Sequence, residues 1–286
     1  KFFITAQGKP EAIRHYGDLY DFQVVKDGDK LSLGKRELTF VALPMLHWPD
    51  SMATYCADDG ILFSNDAFGQ HYAAAKRFDD EVDQGILFYE AKKYFANILW
   101  PYARLIDKAL TKVAALDLKM IATAHGIIWR SHIQEIIARY AAWGKGVSDS
   151  SVVVAYDTMW GATEQMARAV LEGVISAGSD AVLLRMNETP NSTAVADLFE
   201  AGGLIVGSST LNNGMLPTLG SLLVYLKGLK PTGKKAAVFG TYGWAGGAQK
   251  DMEALLTEAG FELEPGFTCK WKAQPEDLAA ARQLGY

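Results

Sequence analysis

The chain has 286 residues, 49% of them apolar, which is enough for about two domains with sizeable cores and excludes disordered, collagen-like and coiled-coil chains. Its 28 Lys and Arg are interspersed with 33 Asp and Glu to a net charge of −5, so there is no basic footprint for a nucleic-acid backbone or an anionic membrane surface. A small molecule or a protein is the expected partner. No apolar run is long enough to span a bilayer, and the first residues lack the apolar core of a signal peptide. Cys56 and Cys269 are too few for a disulfide framework and belong to no C-x-x-C pair, which points to a reducing, cytoplasmic compartment.

The chain begins without Met, directly in an apolar run. Up to about residue 65, β-type runs alternate with turn residues: Phe2–Thr5, Phe22–Val25, Leu38–Ala42, Met52–Cys56 and Ile61–Ser64. From Glu90 to Leu118 the apolar spacing changes to three and four, which predicts long helices broken or kinked at Pro101. A strand over Lys119–Ala124 ends at His125-Gly126, and a helix is expected from about Ser131 to Trp143. Gly144–Ser150 reads as a linker by composition. Domains are therefore expected at 1–146 and 150–286.

Beyond the linker, strands and helices alternate regularly. Val152–Tyr156, Ala181–Met186, Leu204–Gly207, Ala236–Gly240 and Phe267–Trp271 read as strands. A helix carrying Met166, Val170 and Val174, then Thr193–Glu200, Pro217–Leu229, Gly247–Ala259 and Pro275–Leu284, fill the gaps between or after them. Five strands with helical crossovers predict a doubly wound α/β domain with a five-stranded parallel sheet. Ligands of such sheets bind outside the carboxyl ends of the strands.

Three of those strand ends carry unusual loops. The first, Asp157-Thr158-Met159-Trp160-Gly161-Ala162-Thr163, runs into a helix whose open N–H groups and dipole would attract a phosphate, with the Thr158 and Thr163 hydroxyls donating. It has no Lys or Arg, which argues against a Walker-type site and suits a single phosphate such as that of FMN. Read alone, it fits an ordinary capped turn equally well. The second loop contains Ser209, Thr210, Leu211, Asn212 and Asn213, and the third contains Thr241, Tyr242, Gly243, Trp244 and Gly246. Glycine-freed backbone with aromatic rings suits a planar heterocycle.

The Thr158, Gly161 and Thr163 positions resemble the phosphate loop of flavodoxins, with Trp160 in place of the middle Thr. With Asn212-Asn213-Gly214-Met215-Leu216-Pro217 and Tyr242-Gly243-Trp244 they look like the flavodoxin-like domain of flavodiiron proteins, and the resemblance covers residues 150–286.

Among five histidines, context singles out two. His47 follows an extended run and His125 ends a strand, while Asp66 terminates the strand before it. Carboxylate and imidazole at adjacent strand ends suit a first-row metal, and a carboxylate can bridge two ions. Three polar strand caps are the alternative.

Flavodiiron proteins carry a metallo-β-lactamase-like domain ahead of the flavodoxin-like one. Their later metal ligands are a His, an Asp and a further His, and the steps of 19 from His47 to Asp66 and 59 from Asp66 to His125 match that order and spacing. The resemblance implies that Asp66 bridges two non-haem irons, with His47 on one and His125 on the other. The family's first cluster, His-x-Glu-x-Asp-His, does not occur in these residues. The expected fold is thus a partial αββα sandwich followed by a complete flavin domain, the missing part lying upstream of Lys1.

What the resemblance implies functionally is reduction of O2 to water or NO to N2O at a diiron site fed by FMN. Rubredoxin or another reductase would be the external electron donor, and a head-to-tail homodimer or homotetramer would bring flavin and iron of different subunits together. Two rivals are an FMN electron carrier with an incomplete or inactive metal domain, and a zinc hydrolase with an attached flavin module.

Overall fold

The computed structural model describes residues 1–146 and 148–286; Val147, within the expected linker, lies outside the described residues. The chain divides into two compact units, one ending at Gly146 and the other occupying the rest.

The first unit opens with a small βαβ element: β1 (Phe2–Ile4), α1 (Gly8–Tyr16) and β2 (Phe22–Val24), the strands paired in parallel. The main sheet follows as β3 (Lys30–Ser32), β4 (Glu37–Ala42), β5 (Met52–Cys56) and β6 (Ile61–Asn65), successive strands running antiparallel. β7 (Met120–Thr123) closes it parallel to β6, giving the order β3-β4-β5-β6-β7. A parallel return needs a long crossover, and helices supply it: α2 (Gln84–Tyr94), a π-helical turn at Phe95–Leu99, a 3-10 segment at Trp100–Leu105 and α3 (Ile106–Ala114). The helix α4 (Ile133–Gly144) follows β7.

The helices begin earlier than the apolar spacing alone predicts, because Asp83 caps α2 by accepting the Ile86 N–H at 2.9 Å. Pro101 sits at the start of the 3-10 segment, where its missing N–H leaves no helical hydrogen bond unmade. The core is aromatic. Tyr140 lies against Phe68, Phe95 and Trp143 with ring centroids 4.6, 5.1 and 5.5 Å away, and Trp129 and Leu62 are wholly buried beside Ile121.

The second unit is a doubly wound α/β fold. Its elements are β8 (Val152–Asp157), α5 (Ala162–Ser176), β9 (Ala181–Arg185), α6 (Asn191–Glu200), β10 (Gly203–Ser209), α7 (Pro217–Leu229), β11 (Lys235–Tyr242), α8 (Ala248–Ala259), β12 (Glu262–Leu263), β13 (Phe267–Lys270) and α9 (Pro275–Gly285). All pairings are parallel, and the sheet order is β12-β11-β10-β8-β9 with β13 also on β11.

β12 and β13 pair with opposite ends of β11, so together they fill the fifth strand position expected from sequence. The interruption falls at Pro265-Gly266, and Pro265 has no N–H to give to a ladder. Apolar strands buried on both faces hold the centre: Val153, Val154, Ala155, Val206, Val238 and Phe239 are all buried. No helix among the described residues is long and apolar enough to cross a membrane.

Candidate metal centre and cofactor cavity

In the first unit Asp66 leaves the end of β6 and His125 lies just beyond the end of β7, adjacent strands of the sheet. His47 comes from the loop between β4 and β5. The carboxylate stands between the two rings: Asp66 Oδ2 is 3.4 Å from His47 Nε2, and Oδ1 is 3.6 Å from His125 Nε2. Each oxygen thus addresses a different imidazole. Among the described residues no group of three or more His, Cys, Asp or Glu gathers around one ion position.

The residues after Asp66 explain how it is held. Ser64 Oγ donates to the Ala67 carbonyl at 2.6 Å, and the Phe68 N–H donates to Tyr140 Oη at 2.9 Å. Trp129 Nε1 donates to the Phe68 carbonyl at 2.8 Å. Gln70, with no exposed surface, ties this loop to the His125 loop: its amide donates to the Phe68 and Ile127 carbonyls at 2.9 and 3.2 Å, and its Oε1 accepts the Ile127 N–H at 2.6 Å.

His125 Nδ1 faces the Gln70 carbonyl at 3.3 Å. A donor bond there leaves the Nε2 lone pair facing Asp66, the usual way a metal-binding imidazole is oriented. Gly69 allows the ring its place, since a Cβ on that residue would lie 2.6 Å from His125 Cε1.

Sequence reasoning passed over His71, Gln70 and Tyr94, all of which border His125 or its loop. The His71 and Tyr94 rings lie 5.2 and 5.0 Å from the His125 ring. The Tyr94 hydroxyl is buried without a hydrogen-bond partner, and burial, with the charge of Asp66 nearby, pushes its pKa up.

His132, by contrast, is structural. Asp79 is fully buried and accepts the backbone N–H groups of Arg130, Ser131 and His132 as well as His132 Nδ1. Burial alone would raise the Asp79 pKa, but these hydrogen bonds bring it below the ordinary carboxylate value.

In the second unit the three loops leave the same sheet edge, because β8, β10 and β11 end in register: Asp157 is level with Ser208, and Ser209 with Thr241. They border a cavity of about 920 Å³, within the range that holds a cofactor-sized ligand. Of the residues expected there, Met159, Trp160, Ala162, Ser209, Thr210, Leu211, Asn212, Asn213, Thr241, Tyr242, Gly243 and Trp244 line it. Thr158, Gly161, Thr163 and Gly246 do not line it, whereas Ala245, which lies in the third loop but was not among the residues expected to bind, and Gln165, Trp271 and Lys272, which lie outside the three loops, do.

Thr163 has no exposed surface. Its hydroxyl lies 2.9 Å from both Ser209 Oγ and Thr241 Oγ1, and Thr241 Oγ1 donates to Ser209 Oγ at 3.3 Å. The three loops are thus pinned together by three hydroxyls beneath the cavity floor. Thr158 Oγ1 likewise acts within its own loop, accepting the Gly161 N–H at 3.0 Å.

The α5 terminus has Gly161 as its N-cap with no side-chain cap, so the first helical N–H groups stay open towards an anion. Asn212 and Asn213 both have positive φ, 49° and 63°, in a turn closed by reciprocal 2.9 Å bonds between Leu211 and Gly214. Asparagine tolerates that conformation best among residues with a Cβ. Gly247 is required by the packing of the third loop on the second, because a Cβ there would lie 1.8 Å from the Asn213 carbonyl oxygen.

Residues 3–126 match the model of the ODP family beta lactamase, and residues 154–285 match that of flavodoxin. The chain is 45% identical to a nitric oxide reductase of Moorella thermoacetica, over 95% of this chain and 69% of the relative. The flavodiiron protein from Giardia intestinalis superposes with a TM-score of 0.96 at 36% identity, covering 99% of this chain and 71% of that one.

The chain belongs to the flavodiiron protein family.

A further solved member, the rubredoxin oxygen:oxidoreductase of Desulfovibrio gigas, superposes at a TM-score of 0.94 with 35% identity, over 99% of this chain and 72% of that one. Flavodiiron proteins are oxidoreductases with FMN and a non-haem diiron centre, and the residues here fit both groups. The cavity of this flavodiiron chain offers an open helix terminus, hydroxyl-pinned loops and aromatic walls to FMN. In the first unit Asp66 stands between His47 and His125 with a separate oxygen facing each imidazole, a donor set of the kind a first-row metal takes.

Proposed function

We propose that this chain forms the FMN-binding and iron-bridging part of an enzyme that reduces O2 to water, NO to N2O, or both, with electrons drawn from an external donor such as rubredoxin. The observation that carries the reading is the Asp66 carboxylate, which presents a separate oxygen to each of two imidazoles. In this reading residues 1–146 are the C-terminal part of the lactamase-like diiron domain and residues 150–286 the flavodoxin-like domain. When bound, FMN supplies electron exchange in single or paired steps, and the irons supply gas binding and reduction.

His47, Asp66 and His125 hold the iron pair on this chain's side, and Gln70 fixes the His125 tautomer through its backbone carbonyl. The Tyr94 hydroxyl, buried without a partner, donates a hydrogen bond to whatever oxygen or nitrogen atom comes within its reach. In the second unit the open N–H groups at the start of α5 bind the FMN phosphate. Asn212, Asn213 and the Thr241–Trp244 backbone bind and orient the ring, and the Tyr242 and Trp244 side chains exclude water from it.

Electron transfer weakens steeply with distance, so we place the working unit in a head-to-tail homodimer or homotetramer that brings the flavin of one subunit near the irons of another. A cytoplasmic location agrees with the two cysteines, both buried and free. Metal analysis combined with anaerobic O2 and NO consumption tests the reading. Iron near two per chain with turnover supports it, FMN without metal would make the protein an electron carrier, and zinc without gas consumption would overturn it.

A further inference from the structure

Among the described residues lining the flavin cavity, Lys272 carries the only charged side chain. Among the described residues it is paired with no carboxylate. It follows β13, and the chain there is fixed: the Trp271 N–H donates to the Tyr242 carbonyl at 2.8 Å. Trp271 adopts φ 60°, and its ring packs on the backbone of Gly243 in the third loop. Lys272 is therefore delivered to the cavity wall beside the Tyr242–Trp244 loop.

The sheet order says which end of the ligand it meets. The phosphate loop leaves β8, and β10, β11 and β13 lie successively beside it. Three inter-strand steps of about 4.8 Å separate β8 from β13 by roughly 14 Å. A lysine side chain spans less than half of that, so an ammonium rooted at Lys272 serves the ring end of FMN and leaves the phosphate to the N-terminus of α5.

We infer that Lys272 is a positioning residue that selectively stabilises the reduced flavin ring and so sets its reduction potential, an inference that rests on the FMN assignment of this cavity. Oxidised isoalloxazine is uncharged; uptake of two electrons and one proton leaves it with one negative charge at neutral pH. A cation on the cavity wall, with no carboxylate partner, attracts the reduced form and is nearly indifferent to the oxidised one. Differential affinity for two states is what shifts an equilibrium between them, and charge near the flavin ring nitrogens is a recognised lever on flavin electronics.

The test is an anaerobic spectroelectrochemical titration of the FMN-loaded protein and of its Lys272→Gln and Lys272→Arg variants, with dithionite as reductant. A parallel fluorescence titration measures affinity for oxidised FMN. Lys272→Gln is expected to weaken binding of the reduced flavin about tenfold relative to the oxidised form, which lowers the two-electron potential by about 30 mV. Oxidised-FMN affinity stays near that of the wild type, and Lys272→Arg restores the potential. An unchanged potential in Lys272→Gln, or an equal loss of affinity for both flavin states, overturns the inference. Failure of the wild-type protein to bind FMN at all would instead overturn the flavin assignment, and the inference with it.

Discussion

Replacing Thr163 with valine separates two roles that the phosphate-loop motif leaves merged. Valine keeps the branched shape but removes Oγ1, and with it the two 2.9 Å bonds to Ser209 and Thr241. Those partners keep their mutual bond at 3.3 Å, and Ser209 Oγ still accepts the Met159 N–H at 3.4 Å. Two neutral hydrogen bonds at a fully buried site are worth about 1 kcal/mol each, less the residual pairing of the two hydroxyls left behind, so the expected cost is about 1–2 kcal/mol. Because these bonds join protein groups to one another, the fold itself bears this cost, and the melting temperature of the second unit should fall by about 3–7 °C. Oxidised-FMN affinity should fall by less than about fivefold, since the free and FMN-bound forms lose the same two bonds and only the looser registration of the three loops separates them. Thr163→Ser should recover most of both effects. Differential scanning calorimetry of the apo-protein and a flavin fluorescence titration make the measurements. If Thr163→Val leaves apo stability unchanged and weakens only FMN, the hydroxyl is a direct phosphate ligand and the reasoning from the buried triad is wrong.

Two further changes probe the first unit. Gly69→Ala places a methyl 2.6 Å from His125 Cε1; moving the ring by the ~0.8 Å needed for ordinary contact breaks its 3.3 Å contact with the Gln70 carbonyl. Ferrous-iron affinity, measured anaerobically on the holoprotein, should drop about 10- to 100-fold with FMN content unchanged, and an unaltered isotherm would refute the orienting role. Asp79→Asn weakens or removes acceptor bonds to the Arg130, Ser131 and His132 N–H groups and to His132 Nδ1, and should destabilise the first unit by about 2–4 kcal/mol at pH 7. Since the Asp79 pKa is lowered in the folded state, its contribution is fully present above the unfolded value of about 4 and is lost as pH falls through the folded one. The gap in urea midpoint between wild type and variant should therefore narrow below about pH 4, and a gap independent of pH would contradict the assignment.

Much of this architecture is legible in the residues. The buried runs of β8, β10 and β11 are apolar enough to read as parallel strands, and the loops that follow stand out by their glycines, hydroxyls and aromatics. His47, Asp66 and His125 could be nominated only through family spacing, since nothing local distinguishes them from polar strand caps, and the fold brings the three side chains together. What sequence reasoning passed over depends on long-range contacts. Gln70 becomes important because it bridges two loops 57 positions apart, and Trp271 and Lys272 because β13 lies against β11. Thr163 shows the converse: its motif position suggests a ligand contact, and in the fold its buried hydroxyl lies 2.9 Å from Ser209 Oγ and Thr241 Oγ1. The helix start at Gln84 was missed for a local reason, because Asp83 is a cap embedded in an acidic stretch without apolar periodicity.

The most direct test of the whole account is the reoxidation of reduced FMN by NO, followed by absorbance under exclusion of O2, in iron-loaded holoprotein with and without Asp66. The account predicts rapid gas-dependent reoxidation in the wild type. In Asp66→Ala that reoxidation should be lost and bound iron depleted, while the flavin spectrum and content stay unchanged. Equal reoxidation with both irons retained in Asp66→Ala would contradict the claim that this carboxylate joins the two metals through which the flavin reduces its gas.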